Sequence, residues 1–443
     1  MRQGTQSLVS HTWRALRHRN FRLFFFGQST SLIGTWMTRL ATAWLVYRLT
    51  HSALLLGVVS FSGQIVSFLL GPVAAVWVER LERRRLLVVT QAAAAIQSLA
   101  LATLTLAHVI TLGEIIGLMA FQGLINAFDM PGRQSFLVQM VEDRGDLANA
   151  IAINSSMVNS ARLIGPAIGG LIIAAFGEGW CFFIDGVSYL AVIASLLVMR
   201  LPALNDRRKS GSSLLQELRE GWDYVSGVGP IRTILLLLAL TCLVGWPYSV
   251  LLPVFADKVL HGGPHTLGWL SAASGLGALI SALALAMRKS IRGLTRNLQM
   301  AVALLGVGLI LFGLSHVLWL SLLLMVVVGF GLIQATAVCN TIIQSLVPDD
   351  KRARVMGYYT MAFFGAAPFG SLMAGALAQR IGAPHTVMLT GAFCIVGAAW
   401  FTLQLPKVRP AMRDAYREKE LSAQRESAAR VGPGFPHRQA VSG

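Results

Sequence analysis

Twelve stretches of this 443-residue chain, each about twenty residues or longer, consist almost entirely of apolar side chains. They run over approximately 21–48, 53–77, 86–107, 110–130, 148–176, 180–200, 231–256, 266–287, 297–315, 318–342, 355–378 and 385–404. About twenty apolar residues in a helix cross the hydrocarbon of a bilayer. Inside that layer only helices and closed barrels satisfy their own backbone. These stretches lack strict alternation and are about twice the length of a barrel strand, which rejects a β-barrel. Only 13% of residues are charged, roughly half the share in an ordinary globular domain, and mean hydropathy is +0.62. A disordered chain is excluded and a soluble enzyme becomes untenable.

The formal net charge of +17 raises the question of nucleic acid, and the placement of the 37 Lys and Arg residues answers it. With the N-terminus in the cytoplasm, 32 of them fall in cytoplasmic segments and three (Arg48, Lys258, Arg380) outside. Arg39 and Arg162 stay within spans. That asymmetry follows the positive-inside rule, so the charge reports topology and no nucleic-acid partner is expected. Both termini are expected in the cytoplasm, and no cleaved signal peptide, because no short apolar stretch ends in an A-x-A site. Cys181, Cys242, Cys339 and Cys394 lie far apart beside apolar runs, which suggests buried thiols and neither a zinc site nor a disulfide framework. No cofactor is expected.

The pattern breaks in the middle. Residues 1–20 form a basic N-terminal segment, 21–200 a first six-helix bundle, 201–230 a polar cytoplasmic linker, 231–405 a second six-helix bundle, and 406–443 a charged tail expected to be disordered. The bundles echo each other at an offset near 205 residues: Gln139 with Val141-Glu142-Asp143 against Gln344 with Val347-Pro348-Asp349-Asp350, and Gly165-Pro166 against Pro368 and Gly370. Two pseudo-symmetric six-helix bundles are a common transporter plan. Residues 8–22 mix apolar and basic side chains and suit a helix lying on the inner membrane surface, or an unstructured basic tail.

The loop Glu79-Arg80-Leu81-Glu82-Arg83-Arg84-Arg85 resembles the G-x-x-x-D-R-x-G-R-R signature of the major facilitator superfamily, with Ala75 and Glu82 at the glycine positions and Glu79 for the aspartate. Gly165-Pro166-Ala167-Ile168-Gly169-Gly170 resembles the GPxxGG core associated with its antiporters. Gln122-Gly123 resembles the end of a third motif, but Met119 stands where the family carries an arginine linked to proton coupling. Phe21-Arg22, Gly27-Gln28, Gly34-Thr35-Trp36-Met37, Trp44-Leu45-Val46-Tyr47, Pro131-x-Arg133, Pro253-Val254-Phe255, Arg352-Ala353-Arg354-Val355-Met356 and Pro368-Phe369-Gly370-Ser371 are similar to the enterobactin-exporter-like branch. The resemblance implies a twelve-helix all-α membrane fold and export of a siderophore or drug-like compound, driven by protons. By the same resemblance Glu79, Arg80, Arg83, Arg84, Asp129 and Arg133 form a latch on the cytoplasmic side, made in one state and broken in another.

A charge at mid-membrane costs several kcal/mol, so buried polar residues are functional candidates. Arg39 lies in the first run, with Gln28, Ser31, Thr35, Thr38 and Thr42 as a polar stripe that faces either a water-filled cavity or a neighbouring helix. Ser155, Asn159, Arg162 and Pro166 share a face, and Arg162 suits an anionic substrate or a structural ion pair. Asp185 is a candidate partner for Arg39 or Arg162 and a candidate proton carrier, or an interfacial carboxylate. Gln122, Asn126, Asp129 and Arg133 fall on one face of the fourth run. Trp246-Pro247-Tyr248 marks a kink, its aromatics set to stack on a substrate or to face lipid. No phosphate-cradling loop, H-E-x-x-H or G-x-S-x-G occurs, so no enzyme and no ATP-driven pump is expected. The expected protein is a monomeric multi-pass transporter of the bacterial inner membrane, with a small-molecule substrate, the lipid bilayer and protons as partners. The alternatives are a lipid or lysolipid flippase and a receptor or scaffold that transports nothing.

Overall fold

The computed structural model describes residues 14–137, 139–141, 143–200, 214–288 and 293–430; within the helices some side chains, Glu79 and Arg80 among them, also lie outside the described set. The first bundle comprises α1 (Arg19–Thr50), α2 (Ala53–Arg80), α3 (Arg83–Leu106), α4 (Leu112–Leu137), α5 (Leu147–Phe176) and α6 (Glu178–Val198). A short α7 (Leu214–Gly227) lies in the linker. The second bundle comprises α8 (Gly229–Leu240), α9 (Tyr248–Val254), α10 (Pro264–Ala286), α11 (Leu294–Leu314), α12 (Leu318–Leu346), α13 (Asp349–Ile381) and α14 (Ala383–Arg430). Ten described segments are long and apolar enough to span a bilayer by length and composition. Val89, Ile96, Leu323 and Val396 stand exposed on these helices, an arrangement that an apolar solvent makes favourable.

Tight turns fix the antiparallel order. His51, at φ 48°, closes α1 by donating its N–H to the Tyr47 carbonyl at 2.7 Å, and Ser52 caps α2 by accepting from the Leu55 N–H at 3.4 Å. A single glycine separates α5 from α6 and another separates α13 from α14: Gly177 at φ 88° and Gly382 at φ 83°. Only glycine takes that conformation cheaply. The two sit at the same offset as the sequence echoes, so the repeat is structural as well as sequential. Alternation defines two ends of the molecule. The terminal face carries the start of α1 and the α2–α3 and α12–α13 turns; the far face carries the α1–α2, α5–α6 and α13–α14 turns.

The bundles meet at two glycine-lined crossings. Where α5 crosses α10, a Cβ on Gly170 would stand 2.8 Å from the Gly268 Cα and from the Pro264 carbonyl oxygen. Where α2 crosses α13, a Cβ on Gly57 would stand 2.7 Å from the Ser371 carbonyl oxygen. Small residues let backbones touch, which is how helices associate where water exclusion supplies no drive. Both crossings lie in the far half. At mid-height Phe68 packs on Gly365, and the Arg162 carbonyl packs on Gly275. Nearer the terminal face the described charged residues bond within the first bundle, as Asp129 does with Thr90, Gln91 and Arg133.

The seventh span is not one regular helix. Thr241–Gly245 and Phe255–Val259 are π-helical turns. Pro247 has no N–H to give the Leu243 carbonyl one turn back, and Gly370 of α13 packs directly on that freed oxygen. Such turns recur at functional sites.

Two terminal expectations change. Arg14 and His18 bond Asp146 at 3.3 and 3.1 Å, and the Ala15 N–H donates to Asn149 Oδ1, so residues 14–18 dock on the start of α5 and are not an unstructured tail. Residues 1–13 lie outside the described set. The last helix runs on through Pro406 and Pro410 to Arg430, where a disordered tail was expected from 406; residues 431–443 lie outside the described set. The linker holds α7, tied to α13 by Arg354 and Glu220 at 3.0 Å; residues 201–213 lie outside it.

If the glycine crossing seats the bundles, Gly170→Val forces α5 from α10, and overpacking of this kind costs about 1–3 kcal/mol. The detergent-solubilised variant should melt several degrees below the native protein. An unchanged melting temperature would show the crossing to be loose.

Candidate functional site

Arg39, Trp36, Arg162 and Trp246 converge at mid-height between the bundles. The Arg39 guanidinium carbon lies 4.8 Å from the centroid of the Trp36 ring, and that of Arg162 lies 4.9 Å from the same centroid. Arg162 also lies over Trp246 at 5.5 Å, so it touches an aromatic ring from each bundle. Trp36 precedes Arg39 by three residues, which puts both on one helix face. A Cβ on Gly165 would stand 2.6 Å from the Trp36 Cβ, and a Cβ on Gly169 3.3 Å from the Met37 Cα. The GPxxGG segment therefore presses α5 onto α1 with Gly165 and Gly169 and onto α10 with Gly170, while Pro166 is buried in the crossing with its carbonyl against Gly268.

Neither guanidinium is paired with a carboxylate among the described residues. Arg39 is exposed and Arg162 half-buried, and Arg162 Nε is buried without a hydrogen-bond acceptor. Both lie within 5 Å of one ring centroid, so they stand less than about 10 Å apart; at an effective dielectric near 20 their repulsion is about 2 kcal/mol or more. Cation–π contact returns about 0.5–2 kcal/mol to each. An anion placed between them gains from both.

Asp185 takes no part in an ion pair with either arginine. It is buried between α1, α3 and α6, where Oδ2 accepts from Ser98 Oγ at 2.9 Å and Oδ1 has no donor. That oxygen points at the α1 backbone: a Cβ on Gly34 would meet it at 2.7 Å. Arg39 interacts with it electrostatically from further off. The polar stripe of α1 faces the same way. Gln28, Ser31, Thr38 and Thr42 are buried, and Thr35 Oγ1 meets the Tyr189 hydroxyl at 3.3 Å. The cavity expectation for that stripe, Gln28 included, is corrected: it packs against α6. Tyr248 is corrected likewise, its hydroxyl bonded to Ser274 Oγ at 2.6 Å inside the second bundle, which leaves Trp246 as the half-buried ring of the pair. Trp246 packs edge-on against Phe363 at 5.5 Å. Asn159 is half-buried and donates to the Ser155 carbonyl at 2.9 Å, one turn from Arg162.

The charged residues near the terminal face bond within the first bundle. Asp129 is buried and accepts from Thr90 Oγ1 at 3.0 Å, from Gln91 Nε2 at 2.8 Å and from Arg133. Gln122 donates to Asn126 Oδ1 at 3.3 Å on the same face of α4. Arg84 donates to the Leu197 carbonyl, and Arg83 to the amide oxygen of Gln139 when that amide is turned toward it. The side chains of Glu79 and Arg80 lie outside the described set. Asp129 thus holds α3 to α4, with no described bond to Arg83.

Across the far face the bundles are hydrogen-bonded. The buried Tyr47 hydroxyl donates to Asp257 Oδ2 at 2.7 Å, and Ser52 Oγ donates to Gln379 Oε1 at 3.1 Å. Arg48 clamps Glu178 through Nε at 2.8 Å and Nη2 at 3.2 Å, tying α1 to α6 beside them. Sequence reasoning missed Trp36, Tyr47, Ser98, Tyr189 and Asp257 as site residues; the signal within reach was the three-residue spacing of Trp36 and Arg39.

A bundle pair closed at one end, with unpaired charge at mid-height, is the architecture of a transporter. The chain belongs to the transmembrane secretion effector family of the major facilitator superfamily, whose model matches residues 10–433. It is 27% identical over 395 residues to the multidrug efflux pump Tap of Mycolicibacterium fortuitum, spanning 87% of this chain and 96% of that one. It is 26% identical over 382 residues to the staphyloferrin A transporter of Staphylococcus aureus, spanning 85% and 95%. Its fold is similar to the crystal structure of the nucleoside transporter NupG, at 12% identity and a TM-score of 0.71 over 88% of this chain and 99% of that one. The family and these relatives are transporters and not enzymes.

Tyr47→Phe removes one far-face hydrogen bond and little volume. A hydrogen bond to a charged group is worth about 1.5–3 kcal/mol, so the far-face equilibrium should move toward opening by roughly ten- to hundredfold. Labelling of Ala53→Cys by an impermeant maleimide should accelerate accordingly in the Tyr47→Phe background. Equal labelling rates would mean that this bond does not hold the face shut.

Proposed function

We propose that the protein is a secondary active exporter of the bacterial inner membrane, with both termini in the cytoplasm. It moves a small molecule by rocking its two bundles about the far-face crossings. The observation that carries this is the pair of unpaired arginines with Trp36 and Trp246, held between bundles that meet at the far face. The charge distribution supports a cytoplasmic terminal face: 32 basic residues belong to it and three to the other. On that orientation the site faces the cytoplasm, as an exporter needs when it loads. The relatives that pump drugs or carry a siderophore support outward movement of a small organic compound. Arg84, Arg133 and the other latch candidates would change partners when the terminal face closes. We take the transporting unit to be the monomer, since the site is complete within one chain.

For energy we propose proton exchange, with Asp185 as the carrier. It is buried, lacks an ion-pair partner and has one oxygen without a donor. The family's usual arginine is replaced by Met119, so a carboxylate elsewhere must do the work. Protonation at Asp185 would alter its hold on α3 and its attraction for Arg39, the residue next to the substrate space.

The test is transport in proteoliposomes under an imposed pH gradient. Asp185→Asn should lose gradient-driven accumulation and keep downhill exchange; intact accumulation would remove Asp185 from coupling. A periplasmic reporter active when fused at Gly211 or Arg409 would overturn the orientation. Absence of gradient-driven movement for siderophores, drugs and lipids alike would favour a receptor.

A further inference from the structure

We infer that the mid-height site selects small aromatic compounds bearing two acidic groups, one for Arg39 and one for Arg162; this rests on the exporter reading above. Two arginines less than about 10 Å apart, neither neutralised by a described carboxylate, form a site whose charge is incomplete without an anion. A single monoanionic group, even one placed between the two guanidiniums, cancels one of the two positive charges and leaves the other uncompensated. A second acid on the same molecule removes the remainder. Arg162 Nε, buried with no acceptor, has a bond still to give. The nearest candidate counter-charge, Asp185, is turned away into the α1–α3–α6 packing and bonded to Ser98, so it does not compete for the site.

The lining fixes the rest of the ligand. Trp36 and Trp246 present half-buried rings, one from each bundle, and Phe363 backs Trp246. The Arg162 guanidinium itself lies over both rings, so an aromatic ligand held by the arginines gains area against the parts of the rings it leaves uncovered. A guanidinium fork holds a carboxylate through two parallel hydrogen bonds, a geometry that an ammonium cannot reproduce. A cationic drug of the same size is repelled by both arginines, and a neutral one leaves their mutual repulsion uncompensated. Because Arg162 touches rings of both bundles, a diacid bound there also bridges them.

The experiment is equilibrium binding to the purified full chain in detergent with four probes: naphthalene-2,6-dicarboxylate, 2-naphthoate, 2-naphthamide and sulfate. The diacid should bind at least tenfold more tightly than the monoacid, and the amide and sulfate more weakly still. Arg39→Gln and Arg162→Gln should each reduce the diacid-to-monoacid ratio below about threefold, with melting temperatures showing that the variants are folded. Arg162→Lys, which keeps the charge and loses the fork, should give an intermediate ratio and serves if the glutamine variant does not fold. Equal affinity for diacid and monoacid overturns the inference. So does sulfate binding as tightly as the diacid, or a ratio that survives both glutamine substitutions. Vesicle transport of the same probes separates the two readings. If the amide or monoacid is moved with no preference for the diacid, the exporter stands and the selectivity falls. If the diacid binds with the arginine dependence but nothing is moved, the selectivity stands and the exporter falls.

Discussion

Backbone contact at two glycine-lined crossings is the constraint on which the rest of the molecule depends. In a bilayer the hydrophobic effect does not pull apolar helices together, so the two bundles must be joined by packing and hydrogen bonds. Gly170 with Gly268 and Gly57 with Gly375 let α5 reach α10 and α2 reach α13 without intervening side chains. Both crossings lie in the far half, reinforced by Tyr47 with Asp257 and Ser52 with Gln379. The hydrogen bonds described toward the terminal face run within the first bundle, as Asp129 with Thr90, Gln91 and Arg133 does.

The buried polar groups divide into two kinds. Asp129, with donors from Thr90, Gln91 and Arg133, is satisfied and acts as a fixed joint between α3 and α4. Asp185 and Arg162 are each left with an unpartnered atom, as are Thr38 and Thr42. Buried polar atoms without partners are uncommon and costly; those of Thr38 and Thr42 lie on α1, that of Arg162 on α5 and that of Asp185 against α1, while Gln91 Oε1 and Thr105 Oγ1 of α3 are left so as well.

The spans, the loop charges and the internal repeat were legible because each follows from the solvent: hydrocarbon sets helix length, and membrane insertion sets which loops are basic. The rotation of each helix was not. A helix of a multi-pass protein is apolar toward lipid and toward its neighbours, so periodicity does not tell the two sides apart. The stripe Gln28, Ser31, Thr38 and Thr42 could face a cavity or a neighbouring helix by sequence, and the structure buries it on the side of α1 that meets α6. Arg39 and Arg162 could be singled out by the cost of a membrane charge, but Trp36 carries no such cost and gave no sign beyond its spacing from Arg39. Partners of Asp185 and Tyr248 lie 87 and 26 residues away in sequence, and no pattern in one chain reports such a meeting. The helix through Arg430 was hidden by Pro406 and Pro410, which are ordinarily helix breakers.

The central claim, that the bundles rock as units about the far-face crossings, is tested most directly by paired spin-label distances in lipid nanodiscs. One pair would bridge the far face, at Val109 and Val317; the other would bridge the terminal face, at Arg85 and Arg296. Gly57→Trp places a bulky ring where α2 touches α13 and should force the far face open. The account predicts that the far-face distance then lengthens while the terminal-face distance shortens in the same molecules. A longer far-face distance with the terminal-face distance unchanged would contradict it.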